Sequence, residues 1–540
     1  MLFNSIEFLV FLALVYGLYR VLPFRAQNWL LLIAGYVFYG WWDCRFLFLM
    51  ILSTSTDFWT GLVLDRGRLS RREMLVPATF LICAALLLLG VNIPELVDRM
   101  RGAAASSELI TPLLPQVLIG IPVFVLLGAI GYKVLASLSE DRRRFTCMVF
   151  SIVAQLTLLG FFKYFNFFID SLVVALSAVG VAATPRHLDI VLPVGISFYT
   201  FQSLSYAIDI YRREVKPTAR FFDYALFVAF FPQLMAGPIE RARRLLPQMS
   251  NPRKIDFEQT TRGLFLIVYG MFKKVAIADG VAGTVDQAFA ASDAGWGTVV
   301  VGTVLFAVQI YCDFSGYSDI ARGVAKLFGI DLMVNFRQPY FAKSPRDFWQ
   351  RWHISLSTWL SDYLYKPLGG NRGSMAFTCR NLMLTMLLGG LWHGAAWNYV
   401  LWGCYHGTIL CSHRALVAKR GPARDGPAIG LLKLFGFGLV TLYGWLLFRA
   451  RSFDQVVEFT RTMLTGKGGL AIAASLPGLA AVLGIALLAV WEITQYRAGG
   501  SARFYQRLPL WLIGLAVALM LYLTIMGTSN EPAQFIYFQF

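Results

Sequence analysis

Asn381 to His413 reads NLMLTMLLGGLWHGAAWNYVLWGCYHGTILCSH, 33 residues without one Asp, Glu, Lys or Arg. As a single straight helix at 1.5 Å per residue this run would extend about 50 Å, well beyond a hydrocarbon core of roughly 30 Å. It must bend or break, and GGLWHGAAWN is the place: Gly389, Gly390 and Gly394 remove side chains and permit close backbone approach. His393 therefore sits at or next to the break, well below the surface. An imidazole there costs free energy unless it faces a polar cavity or a partner, so an intramembrane ionisable group is a functional candidate by default. The plain alternative is a hydrogen bond to a neighbouring helix, which the surrounding Trp, Asn and small residues could satisfy.

The rest of the chain agrees with a membrane setting. Of 540 residues, 57% are hydrophobic and only 15% charged, and the mean hydropathy is +0.59, which excludes a soluble globular protein. Apolar runs of about 20 residues recur with short polar breaks, giving an expected all-α polytopic membrane protein of about eleven transmembrane helices plus re-entrant and interfacial pieces. The formal charge of +17 resides in short loops, where topology explains it better than nucleic acid does. Cysteines 44, 83, 147, 312, 379, 404 and 411 contain no CxxC and lie mostly in or beside apolar runs, so they read as buried thiols. MLFNSIEFLVFLALVYGLYRVLP, at 1–23, has neither a basic start nor a small-residue cleavage site and reads as a retained first span.

Spans are expected near 5–23, 27–43, 45–64, 74–92, 112–136, 145–170 and 190–211. DRGRLSRRE, SEDRRR and RREVKPTAR occupy alternate loops, which places those loops in the cytoplasm and the N-terminus outside. The segment 221–240, FFDYALFVAFFPQLMAGPIE, has basic stretches on both flanks that want the same side. A re-entrant hairpin turning at Pro232, Gly237 and Pro238 satisfies this better than a short kinked span. Further spans are expected near 263–283 and 297–314, followed by a polar-dotted stretch, then at 380–414, 428–449, 470–493 and 509–527.

Residues 344–364 open with Ser344 as N-cap, Pro345 at the first helical position and Asp347 three residues after the cap. Phe348, Trp352, Leu356, Trp359, Leu360, Tyr363 and Leu364 form one apolar stripe, which predicts a helix along the membrane surface or the cytoplasmic face. His353 shares a polar shoulder of that helix with Gln350 and Ser357, a weak functional signal by itself. His406 and His413, with Cys404 and Cys411, match no tight metal chelate and have no adjacent carboxylate. The chain offers no GxSxG elbow, so direct acyl transfer, with His393 as general base for an attacking hydroxyl, is the simplest chemistry available. A proton-relaying transporter or flippase is the reading from another class. Its candidate interior acids are few, Asp209, Asp313 and Asp319, and there is no internal repeat.

FFPQLMAGPIERARRLLPQ at 230–248, NFRQPYFAKSPRDFWQRWHISLSTWLSDYLYKPLGGNR at 335–372 and LLGGLWHGAAWNYVLWGCYHG at 387–407 together resemble the membrane-bound O-acyltransferase family. The likeness is strongest to its bacterial branch that acetylates alginate and related exopolysaccharides, with the teichoic-acid D-alanyl transfer proteins as cousins; the terminal FIYFQF also resembles that branch. The resemblance implies a ring of tilted helices around a tunnel, with N-terminal transmembrane helices at 1–220, a catalytic core at 221–414 and C-terminal transmembrane helices at 415–540. It implies His393 of the WHG motif as the catalytic residue and His353 of the RWH motif as its partner on the cytoplasmic side. Trp392, Arg351, Trp352, Asp347 and Asn398 are motif neighbours expected to shape the site. No bound cofactor and no metal are implied; the acyl donor is acetyl-CoA or an acyl-carrier protein. A separate periplasmic SGNH-type acetyltransferase is the expected partner and a polysaccharide such as alginate the acceptor, with teichoic acid, peptidoglycan or a lipid as alternatives. The setting is the bacterial inner membrane, in contact with its lipids and with no nucleic acid. In a cysteine-free background, a cysteine introduced in the 240–254 loop is expected to react only with a thiol reagent delivered from the cytoplasmic side; labelling from outside contradicts this topology.

Overall fold

The computed structural model describes residues 1–101, 107–420, 426–528 and 535–536. Regular structure among them is helical, apart from one antiparallel bridge between Val91 and Ile110. Among the described residues, six helical stretches are long and apolar enough to cross a bilayer, at Phe46–Arg66, Leu114–Ser137, Glu140–Ala178, Trp296–Leu327, Pro427–Arg449 and Leu479–Arg497. Four further expected spans, near 5–23, 27–43, 190–211 and 509–527, fall on helices of only 16 or 17 residues. The chain divides into two compact units, one of residues 1–235, 239–255 and 328–331, the other of residues 236–238, 256–327 and 332–540.

The first unit runs α1 (Ile6–Val21), α2 (Phe24–Gly40), α3 (Phe46–Arg66), α4 (Arg71–Leu88), α5 (Ile93–Met100), α6 (Leu114–Ser137) and α7 (Glu140–Leu159). A π-helical turn at Gly160–Tyr164 joins α7 to α8 (Phe165–Ala178), and α9 (Ile196–Tyr211), α10 (Phe221–Ala229), α11 (Phe231–Leu234) and α12 (Ala242–Ser250) follow. α6, apolar all round, has no buried residue, a pattern that only a lipid surround accommodates. α3 is the opposite case. Its Asp57, an interior acid that hydropathy alone passes over, is 1% exposed and accepts from Ser151 Oγ at 2.7 Å and Gln155 Nε2 at 2.8 Å on α7.

The basic loops of this unit converge. Arg144, from SEDRRR, donates to the carbonyls of Leu64, Ile210 and Tyr211 at the C-terminal ends of α3 and α9, where a cation also complements the helix dipole. Arg213 pairs with Glu140 at 3.2 Å. The two flanks of the 221–240 segment also meet, Arg243 NH1 lying 3.5 Å from Glu214 Oε2. Since α10, at nine residues, reaches only about 14 Å, the chain enters and leaves this segment on one side, as a re-entrant element does. It breaks at Phe230, whose ψ of 104° ends α10 before Pro232.

The second unit holds α13 (Phe257–Met271), a π-helical stretch at Phe272–Asp279, α14 (Gly280–Ala290), α15 (Trp296–Leu327), α16 (Pro345–Trp349), α17 (Ile354–Leu360) and a π-helical turn at Ser361–Tyr365. Then come α18 (Met375–His393), α19 (Trp397–Arg420), α20 (Pro427–Arg449), α21 (Phe453–Thr465), α22 (Leu479–Arg497), α23 (Ser501–Arg507) and α24 (Leu510–Met526). Three expectations are corrected here. α15 does not end near 314 but runs on through GYSDIARGVAKL, because its acids are neutralised inside the unit. Lys274 Nζ lies 2.8 Å from Asp279 and 2.9 Å from Asp313, and Lys273 Nζ lies 2.6 Å from Asp319. The expected helix over 344–364 is broken at 350–353, and its apolar stripe does not lie on a surface: Phe348 and Trp352 belong to the main aromatic core. The expected span at 470–493 is displaced to α22, behind an amphipathic α21 that the hydropathy reading passed over.

Sevenfold glycine spacing fixes the contact of α13 with α15. Gly263 faces Gly323 and Gly270 faces Gly316, and a Cβ at Gly270 would lie 2.5 Å from the Gly316 carbonyl oxygen. Small residues at such positions let membrane helices pack backbone to backbone. Gly270→Val is expected to destabilise the protein by about 1–3 kcal/mol through overpacking, read as a fall in melting temperature in mild detergent. Gly514→Val, where nothing lies within 4 Å, is expected to leave it nearly unchanged.

Candidate active site

The uncharged run forms a helical hairpin. α18 ends at His393, Gly394 is extended at φ −162°, and α19 begins at Trp397. The glycines at 389 and 390 do not break the helix; Gly390 lets its partner in, whereas a Cβ at Gly389 would meet Leu360 of α17 at 3.2 Å. A Cβ at Gly390 would lie 2.2 Å from the Tyr399 carbonyl oxygen, and one at Gly403 2.4 Å from that of Met386. His393 is thereby held at the turn, 5% exposed, its ring edge-on to Trp402 at 5.2 Å and to Phe448 of α20 at 5.3 Å between centroids.

His353 arrives from the other side of the same core. It is the N-cap of α17 in a left-handed conformation, φ 42° and ψ 54°, which costs a non-glycine residue of order 1–2 kcal/mol. This overturns the polar-shoulder reading: the break between α16 and α17 turns the imidazole inward, 1% exposed, edge-on to Phe314 of α15 at 4.6 Å. The extended stretch after α15 holds the turn, Ile354 N–H donating to the Asn335 carbonyl and Arg337 N–H to the Arg351 carbonyl. The two imidazole centroids are 6.5 Å apart, with Trp392 against both at 5.0 and 5.9 Å.

The other expected site residues divide. Trp392 is a wall of the histidine pair. Trp352 is buried but stacks on Phe348 at 5.7 Å and lies 4.6 Å from Trp445, in the core behind His353. Arg351 Nε pairs with Asp347 Oδ1 at 2.7 Å, and its guanidinium also donates to the Arg337 carbonyl at 3.3 Å, so both residues brace the α16 turn. Asn398 Nδ2 donates to the Ala450 carbonyl at 3.1 Å, tying the start of α19 to the end of α20. Sequence reasoning missed the remaining walls, Phe314, Trp402 and Phe448. The density of aromatics around His393 was a signal for Trp402; nothing in the sequence marked Phe314 or Phe448. His406 lies one turn beyond Trp402, 4.6 Å from its ring and 5.3 Å from Trp349. Among the described residues, no three His, Cys, Asp or Glu side chains converge as metal ligands. Of FIYFQF, Phe535 packs on Tyr317 at 4.8 Å and Ile536 N–H donates to Asp313 at 2.7 Å; residues 537–540 lie outside the described residues.

This helical, multi-pass membrane protein thus holds two imidazoles 6.5 Å apart among aromatic side chains. Residues 212–419, which contain both histidines, match the model of the membrane-bound O-acyltransferase family. A protein named "Probable alginate O-acetylase AlgI" from Azotobacter vinelandii is 39% identical over 84% of this chain and 76% of that protein. Its namesake from Pseudomonas aeruginosa is 38% identical over 86% of this chain and 78% of its own length. The peptidoglycan O-acetyltransferase of Helicobacter pylori is 36% identical over 60% and 66%. The chain belongs to the membrane-bound O-acyltransferase family and is an integral membrane acyltransferase.

The left-handed backbone at His353 sets which substitutions the fold accepts. Asn adopts this conformation readily, whereas a β-branched residue does not. His353→Asn is expected to melt near the wild-type temperature and His353→Val several degrees below it, measured by thermal unfolding of the purified protein.

Proposed function

We propose that the protein takes acetyl groups from a cytoplasmic thioester donor, acetyl-CoA or an acyl-carrier protein, and passes them across the inner membrane for O-acetylation of a secreted polysaccharide such as alginate. The observation that carries this reading is the pairing of His393, at the break of an uncharged hairpin, with His353, 6.5 Å away in an aromatic enclosure. Support for acetyl and for a polysaccharide comes from the two relatives named as alginate O-acetylases. The Helicobacter pylori relative makes peptidoglycan the second acceptor to test.

In this mechanism His393 is the general base. It takes the proton of an acceptor hydroxyl as that oxygen attacks the thioester carbonyl, forming the C–O bond. The tetrahedral intermediate collapses with cleavage of the C–S bond, and the proton passes from the imidazole to the departing thiolate. His353, on the donor side, orients the thioester. Trp392, Trp402, Phe314 and Phe448 exclude water, which protects the thioester from hydrolysis. The acceptor hydroxyl belongs to a separate periplasmic SGNH-type acetyltransferase that completes transfer to the polymer, or to the polymer itself.

His393→Ala is expected to reduce the acetyl content of the extracellular polysaccharide to background in cells with matched membrane levels of the protein, and His353→Ala to reduce it strongly. Full acetylation in the His393 variant would remove the general base from this mechanism. Unchanged polysaccharide together with under-acetylated peptidoglycan would move the acceptor to the cell wall.

A further inference from the structure

An N-cap residue ordinarily satisfies the first N–H groups of its helix with its own side chain. His353, the N-cap of α17, makes no such bond. The task is carried out from elsewhere in the chain. Asn335, 1% exposed, sits in the extended stretch between α15 and α16, and three of its groups converge on this region. Its carbonyl accepts from Ile354 N–H at 2.9 Å, its Oδ1 accepts from Ser355 N–H at 3.3 Å, and its Nδ2 donates to Ser318 Oγ at 3.0 Å. Ser318 lies one turn from Phe314 on α15, and Phe314 packs edge-on against the imidazole of His353. One face of α15 thus fixes the ring directly through Phe314 and fixes its backbone through Ser318 and Asn335.

We propose that Asn335 is a positioning residue of the two-histidine site: it caps α17 in place of His353, holds the left-handed turn, and so sets the separation and angle of the two imidazoles. The proposal rests on the acyltransferase mechanism above and deepens it. A ring nitrogen that caps a helix is not available to a substrate, and Asn335 takes over the capping duty. Without its Oδ1 and Nδ2, the turn loses two of the three bonds that Asn335 supplies while carrying a conformation that an L-residue disfavours. The expected result is relaxation of His353 away from His393, not unfolding, because the Asn335 carbonyl and the aromatic core remain.

The test uses the full-length protein in lipid nanodiscs, with acetyl-CoA and an acetyl-loaded carrier protein supplied as donors in separate reactions, and with alginate and a periplasmic SGNH-type acetyltransferase present as acceptors. Asn335→Ala is expected to lower kcat by about 10- to 100-fold, the loss that misplacement of a reacting group by about 1 Å produces. The donor KM should stay within about twofold and the melting temperature within a few degrees of wild type. Ser318→Ala, which removes only the acceptor for Nδ2, should lower kcat by about fivefold, the worth of one neutral hydrogen bond. Wild-type kcat in folded Asn335→Ala, or a loss confined to KM, overturns the proposal. If Asn335→Ala does not fold, an unchanged kcat in folded Ser318→Ala overturns it instead. A wild-type protein that transfers acetyl from neither donor overturns the acyltransferase reading itself.

Discussion

The backbone-to-backbone crossing of α18 and α19, at Gly390 and Gly403, is the contact on which the site depends. An uncharged run longer than the bilayer is thick has to fold back on itself, and it can do so tightly only where side chains are absent. The turn that results is the one place in the run where a helix ends within the core, and His393 is its last residue. Trp402, on the returning helix, is brought against His393 by that crossing.

The second half of the site is built on the opposite principle. His353 is placed by a break that the local sequence opposes, since an N-cap serine, a proline and an apolar stripe all favour one continuous helix. What stops it is a set of hydrogen bonds from residues 335–337, and what steadies those is α15. α15 can run through the core as far as Leu327 because Lys273 and Lys274 neutralise the acids it carries. The intramembrane acids that suggested proton relay in a transporter are thus accounted for in part by ion pairs internal to the unit: Asp313 and Asp319 are partners of lysines, and Asp313 also anchors the backbone of Ile536. Buried pairs of this kind contribute little net stability but are costly to break by halves.

Hydropathy and length were enough to read the helical membrane class, a bend or break in the uncharged run and the candidacy of His393, because each follows from a bilayer of fixed thickness acting on local sequence; that the run folds back as a hairpin was not read, since the close approach of Gly390 and Gly403 is a tertiary contact. Charge in the loops was enough to read that the basic segments share a side, and Arg144 and Arg243 meet their partners as that reading requires. The inward turn of His353 was not legible, since its causes, Asn335 and Ser318, are 18 and 35 residues away and unremarkable in type. Arg351, Asp347 and Asn398 looked like site residues because they neighbour the histidines in sequence; in space they brace the elements that carry the site. Asp57 escaped notice because the hydrogen bonds that compensate it come from α7, nearly a hundred residues on.

The most direct test of the two-histidine site is a cryo-electron microscopy map of the full chain in nanodiscs with a saturating thioether analogue of acetyl-pantetheine, the portion common to acetyl-CoA and an acyl-carrier donor. The expected result is density for the acyl end between the imidazoles of His353 and His393, against the Trp392 ring. Density for that group away from both histidines, for example in the polar cluster around Asp57, would contradict the assignment of the site.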